Sequence, residues 1–159
     1  MKFLKKLNKL KLAFISGATK GIGRSTAITF ANAGWDLILL SRKMDLLEKL
    51  KSELLLTTSS KISLVKCDLS NPHGIKNCVG EAIEKYGCPS VLINNAGCAF
   101  NESLVEMDFE HWEQTIQTNL TSVFQICSSI IPKMRKNGGL VINVSSHASY
   151  NAFPQWGAY

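Results

Sequence analysis

The chain lacks almost everything that would mark a secreted, metal-binding or membrane-spanning protein. It has three histidines in 159 residues, and His73, His111 and His147 are scattered among cysteines that form no C-x-x-C pair. Metal-ligand spacing is therefore absent. The cysteines are odd in number, five (Cys67, Cys78, Cys88, Cys98 and Cys127), which argues against a disulfide framework. Most of them read as small buried hydrophobes in a reducing compartment, which implies a cytoplasmic protein. No apolar run approaches the roughly eighteen residues of a membrane span. There is no apolar h-region with a small-residue cleavage site, and the first residues lack the Arg and Ser of a transit peptide. Internal repeats and low-complexity segments are also missing.

Charge is present but unevenly placed. The net charge is +6, yet Lys2, Lys5, Lys6, Lys9 and Lys11 fall in the first eleven residues, which contain no acid. The remainder holds thirteen basic against twelve acidic residues. A near-neutral globular part does not suit a nucleic-acid partner. Phe3, Leu4, Leu7 and Leu10 lie opposite these lysines on a helical projection, a pattern that suits an anionic membrane surface. The simpler alternative is that residues 1–11 form a basic extension before the first strand, and that is the expectation.

What the chain does have is a strict alternation of elements. Apolar runs of strand length occur at 12–15, 37–40, 62–65, 91–93 and 140–144. Stretches of helical period separate them. The first covers 22–33 and stops at Gly34, and the second carries Met44, Leu47, Leu50 and Leu54. The third starts at Asn71-Pro72 and buries Ile75, Val79, Ala82, Ile83 and Tyr86. The fourth is long and runs through Leu120, Val123, Phe124, Cys127, Ile130 and Met134. Short apolar strands joined by helices imply right-handed crossovers and a parallel sheet covered on both faces. The expected fold class is α/β, a doubly wound three-layer αβα domain spanning residues 12–159, with the fifth strand at an edge.

Residues 16–23 read Ser-Gly-Ala-Thr-Lys-Gly-Ile-Gly, between the first strand and the first helix. A glycine turn there aims unpaired backbone N–H groups, backed by the helix dipole, at one point and suits a diphosphate. In this architecture ligands sit beyond the carboxyl ends of the strands. Asp36 lies at the wrong end of the second strand to reach a ribose. The right end offers Ser41, Arg42 and Lys43, with Lys20 in the turn, so a 2′-phosphate is favoured and NADP(H) is expected over NAD(H). Asp68, after the third strand, is placed to accept a bond from an adenine amino group or to cap a turn. Asn94 and Asn95 can tie a strand end to its neighbours, and Ala96-Gly97 permits close approach by a nucleotide.

Together these segments resemble the short-chain dehydrogenase/reductase family. Asn119-Leu120-Thr121-Ser122, Asn143-Val144-Ser145-Ser146 and the final Tyr159 complete the match, all in family order. Ser16 stands where the family usually has Thr and keeps its hydroxyl. The resemblance implies a Rossmann-type fold and a hydride transfer between nicotinamide and a carbonyl or alcohol substrate. It implies three catalytic residues: Tyr159 as acid/base, Ser146 orienting the carbonyl, and Asn119 anchoring a water. Tyr159 follows Ser146 by thirteen positions, which selects Ser146 over Ser145. The cofactor set expected from turn and resemblance is Gly17, Thr19, Lys20, Gly21, Ile22 and Gly23; Ser41 and Arg42; Asp68 and Leu69; Asn95, Ala96 and Gly97; and Val144. No metal is expected.

The family motif continues Tyr-x-x-x-Lys, whereas this sequence stops at Tyr159. A tyrosine unaided by that lysine has a pKa near 10, and ionising it at neutral pH costs roughly 4 kcal/mol. The expectation is therefore a fragment of a longer enzyme, homo-oligomeric when full length, whose C-terminal strands and helices are missing. The alternative is a non-catalytic nucleotide-binding module that lacks the active-site lysine.

Overall fold

The computed structural model describes residues 11–159. The expected basic extension thus lies outside the described residues, except for Lys11, whose Nζ donates to the Ala33 carbonyl (3.3 Å). Five strands form one sheet: β1 (Leu12–Ser16), β2 (Asp36–Ser41), β3 (Ile62–Lys66), β4 (Val91–Asn94) and β5 (Leu140–Asn143). Their order is β3-β2-β1-β4-β5, and every neighbouring pair is parallel. The helices are α1 (Gly21–Asn32), α2 (Met44–Leu55), α3 (Ile75–Tyr86), α4 (Phe109–Ile116) and α5 (Ser122–Met134). None is long and apolar enough to cross a membrane.

The strand period of two divides the core into two layers. Ala13, Ile15, Leu37, Leu39, Val91 and Ile93 pack with Ala27 and Ala31 of α1 and with Leu47, Leu50 and Leu54 of α2. The alternate residues Phe14, Ile38, Leu40 and Leu92 pack with Ile75, Val79 and Ile83 of α3 and with Ile126, Ile130 and Met134 of α5. Each such Leu, Ile or Phe contributes about 1.5–3 kcal/mol by leaving water. The expected three-layer, doubly wound architecture is present. The chain turns from one side of the sheet to the other between β1 and β4, so the loops after these two strands meet at that point.

Three expectations need correction. The third helix begins at Ile75 rather than Asn71-Pro72, because Asn71 Oδ1 accepts from the His73 N–H (3.0 Å) and holds a turn before the helix. The fourth helical stretch is two helices joined by a π-helical turn, Gln117–Thr121. That insertion rotates the buried face onto Thr115, Thr118, Ser122, Ile126, Ile130 and Met134, so Leu120 and Phe124 are each 65% exposed. Of the five cysteines only Cys67 is buried, and the other four sit half-buried where strand ends and helix flanks meet solvent. β5 is an edge strand as expected. Val141 packs against the layer of Phe14, Ile38, Leu40 and Leu92, and Leu140 and Ile142 are exposed.

Candidate functional site

The glycine turn after β1 is built by contacts with the end of β4, far away in sequence. Ser16 Oγ accepts from the N–H groups of Asn95 (3.0 Å) and Ala96 (3.1 Å). The Asn95 amide returns the contact, donating to the carbonyls of Ser16 (3.0 Å) and Gly17 (3.1 Å). Gly17 lies at φ +65°, and a Cβ there would stand 2.8 Å from Ala96 Cα. Gly23, in the first turn of α1, is packed tighter still: a Cβ would overlap the Gly17 carbonyl and the Asn95 amide nitrogen. The two loops touch because these positions carry no side chain.

The surface above this contact is a cavity of about 600 Å³ at the carboxyl ends of β1–β4. That is within the usual range for a small-molecule or cofactor site. Gly17, Thr19, Lys20, Gly21 and Ile22 line one side of it. Ser41, Arg42 and Lys43 close the β2 end, while Asp68 and Leu69 follow β3 and Asn95, Ala96 and Gly97 follow β4. Lys20, Arg42 and Lys43 face a single acid in this wall, Asp68, so the field favours an anion. α1 opens at Lys20 with no side-chain cap and no acid in its first turn, and Lys20, Gly21 and Ile22 at this end of the helix line the same space. Thr19 Oγ1 lies 3.4 Å from Ser41 Oγ, bridging the turn to β2.

Asp68 forms an Asx turn in which Oδ1 accepts from both the N–H (3.0 Å) and the hydroxyl (2.8 Å) of Ser70. Burial is the largest single influence and pushes its carboxyl upward, but the two Ser70 bonds and the Arg42 charge together outweigh it. The net effect holds Asp68 below its ordinary value, ionised at neutral pH, with Oδ2 left to accept.

Asn119 sits in the π-helical turn. Its Oδ1 accepts from Cys98 N–H (2.9 Å) and its Nδ2 donates to Cys98 C=O (2.8 Å), clasping the segment just after Gly97. Each amide end keeps one further hydrogen-bonding position for a water. Ser146 follows β5, and its Oγ accepts from Ala148 N–H (3.2 Å) at the start of a 3₁₀ turn. Tyr159 lies edge-on to Trp156 with ring centroids 5.2 Å apart and is 41% exposed. Asn119, Ser146, Tyr159, Gly23 and Val144 lie outside the cavity wall. Val144 instead extends the β4–β5 ladder through its N–H to Asn94 C=O (2.8 Å).

The wall also contains residues that the sequence did not single out: Leu40, Leu46, Cys67, Cys98, Ala99 and Thr118. Cys67 and Cys98 each adjoin a segment that had been recognised, and extending those segments by one residue would have found them. Thr118 adjoins the recognised Asn119–Ser122 segment in the same way, although the π-helical turn that carries it has no clear sequence signature.

The family model described as short chain dehydrogenase matches residues 11–159. The chain belongs to the short-chain dehydrogenase family. Among its curated relatives is a 3beta-hydroxysteroid dehydrogenase of Mediterraneibacter gnavus, 34% identical over 150 residues, which cover 94% of this chain and 54% of that protein. Among solved structures, an alcohol dehydrogenase of the archaeon Thermococcus sibiricus complexed with 5-hydroxy-NADP superposes with a TM-score of 0.89. It is 29% identical, over 94% of this chain and 63% of its own. L-sorbose reductase of Gluconobacter frateurii, solved with NADPH and L-sorbose, gives a TM-score of 0.83 at 28% identity, over 88% of this chain and 54% of that one. The chain therefore spans little more than half the length of the short-chain dehydrogenases it matches.

Proposed function

We propose that this short-chain dehydrogenase is an NADP(H)-dependent oxidoreductase acting on a carbonyl or alcohol carbon. The observation that carries the proposal is the 600 Å³ cavity, with its glycine cradle at one side and Arg42 and Lys43 at the β2 end. The cradle fits a diphosphate because only glycine at 17 and 23 lets the main chain come close, and the cations fit a 2′-phosphate. Bound NADPH supplies the hydride. The turn's N–H groups and Lys20 hold the diphosphate, Asp68 Oδ2 accepts from the adenine amino group, and Ala96-Gly97 make room for the ribose. Ser146 orients the substrate carbonyl and Tyr159 donates the proton that neutralises the alkoxide. Asn119 works through its clasp on Cys98 and keeps an amide position for a relay water.

Calorimetric titration of the protein with NADPH and NADH, followed by a screen of ketones and aldehydes for loss of nicotinamide absorbance, tests this proposal. NADPH binding with turnover is expected. NADPH binding without turnover of any carbonyl would select the non-catalytic nucleotide-binding module instead, and no binding of either nucleotide would end both readings.

Cofactor preference has its own test. A charge-assisted guanidinium–phosphate contact is worth about 1.5–3 kcal/mol. Arg42→Ala should therefore weaken NADPH roughly 10- to 100-fold and leave NADH within about twofold. Equal losses for both nucleotides would remove the 2′-phosphate assignment.

A further inference from the structure

β5 is one edge of the sheet; the other is β3, which pairs with β2 alone among the described residues. Leu37 N–H donates to the Lys61 carbonyl (2.9 Å), and Cys67 N–H donates to the Ser41 carbonyl (3.0 Å). Residues along a strand turn their main-chain groups alternately to either side, so Ser63 and Val65 serve β2. Ile62 and Leu64 therefore direct their N–H and C=O groups outward. A groove of about 560 Å³ runs past them, lined by residues 60–64 and by Met44, Glu48, Lys51 and Leu55 of α2.

Those four α2 residues lie at i, i+4, i+7 and i+11, a single stripe of the helix. Leu55 is 50% exposed, and neither Glu48 nor Lys51 has an ion-pair partner among the described residues. The stripe is complementary to itself. Laid antiparallel on a second copy, midpoint on midpoint, it sets Met44 against Leu55 and Glu48 against Lys51, each twice. β3 has the same symmetry about Ser63. An antiparallel pairing centred there puts Ile62 opposite Leu64 of the other copy, and the two residues exchange N–H···O=C bonds on both sides of the axis. Both side chains face the core layer that α2 covers, so the apolar pairs fall beneath the paired helices. Lys61 falls opposite Val65 and Lys66 opposite Ser60, so no like charges meet across the strands.

We propose that two copies of this chain associate about a two-fold axis through β3 and α2, joining their five-stranded sheets into one. The two α2 helices then run antiparallel on one face of the joined sheet. An unrelated extended peptide would satisfy the strand edge alone. A second copy also answers the charges and the apolar ends of the stripe. The matched surface is one short strand and one helix face, so a dimer Kd on the order of micromolar is expected. None of this depends on the nucleotide reading given above.

Sedimentation velocity over a micromolar concentration series at low salt tests the proposal. The parent protein is expected to pass from monomer to dimer. Glu48→Lys and Lys51→Glu each set like charges opposite one another twice, and each alone should raise the dimer Kd on the order of tenfold or more. Both positions are on the surface, so each variant should keep the parent's circular dichroism and Tm. An equimolar mixture of the two variants should recover the dimer. There the lysine introduced at 48 faces the glutamate introduced at 51, and the native Glu48 and Lys51 left on the two chains face each other. A contact between 48 and 51 within one helix does not produce recovery on mixing. Hydrogen exchange in residues 60–66 should slow as the dimer forms, while exchange in β5 stays unchanged. A monomer throughout the series would overturn the proposal, as would a dimer indifferent to both charge reversals. So would a mixture no more dimeric than its components, or protection of β5 or of the exposed Leu120 and Phe124 in place of β3.

Discussion

Tyr159→Phe is expected to lower kcat for carbonyl reduction on the order of 10²- to 10⁴-fold, the range for loss of a positioned general acid, while the NADPH Kd stays within about twofold. The split between the two readouts is what makes the experiment specific. Tyr159 lies outside the cavity wall, so deleting its hydroxyl should not disturb nucleotide binding. The hydroxyl makes no hydrogen bond to another described residue, and the ring's contact with Trp156 survives the change to Phe. A merely structural tyrosine would therefore tolerate this substitution, and turnover would hardly change. A fall in kcat with an unaltered Kd identifies a proton donor. A kcat within threefold of the parent's would remove Tyr159 from the mechanism.

Gly23→Ala is the second substitution with a large expected effect, and it acts on the scaffold of the cradle. A Cβ at 23 meets two groups that have little freedom to give: the Gly17 carbonyl, which belongs to the main chain, and the Asn95 amide. That amide is held by bonds to the Ser16 and Gly17 carbonyls at 3.0 and 3.1 Å. Overpacking of this kind costs about 1–3 kcal/mol, and more where backbone must move. For a chain of this size Tm should fall by roughly 2–4 °C per kcal/mol. NADPH affinity should drop at least about tenfold because the phosphate-facing amides are displaced. Gly80→Ala is the matched control. Gly80 lies inside α3 and nothing stands within 4 Å of its Cβ position, so alanine there should be neutral or slightly stabilising. An unchanged Tm and an unchanged NADPH Kd in Gly23→Ala would contradict the packing described here.

The sheet and its flanking helices were legible because their signals are local and strong. Apolar runs such as 37–40 have few competing interpretations, and Gly34 and Gly87 mark helix ends by their need for positive φ, found at +73° and +102°. The glycine turn was legible for the same reason. Elsewhere the physics is not local. Nothing in Gln117-Thr118-Asn119-Leu120-Thr121 announces a π-helical turn, and the one-residue insertion moved the buried face away from Leu120 and Phe124. Asn71-Pro72 looks like a helix start, but the Asn71 side chain prefers to bond the His73 N–H. The cysteines were assigned by the average behaviour of their type. The actual exposure of Cys78, and its contact with the Lys66 carbonyl, depend on how α3 lies against β3, which no spacing rule reports. Asn95 is an intermediate case: its type suggested a tie between strand ends, and only the tertiary contact revealed that Ser16 and Gly17 are the groups tied.

That tie constrains the order in which the protein can assemble. Asn95 and Ser16 are 79 residues apart. During synthesis the first strand and helix emerge early, but the turn between them has no Asn95 to hold its carbonyls until the fourth strand has left the ribosome and docked. Contacts of such long span form late, after the entropy of closing the intervening chain has been overcome. A nascent chain caught before that moment should have its early helices formed and no grip on any dinucleotide.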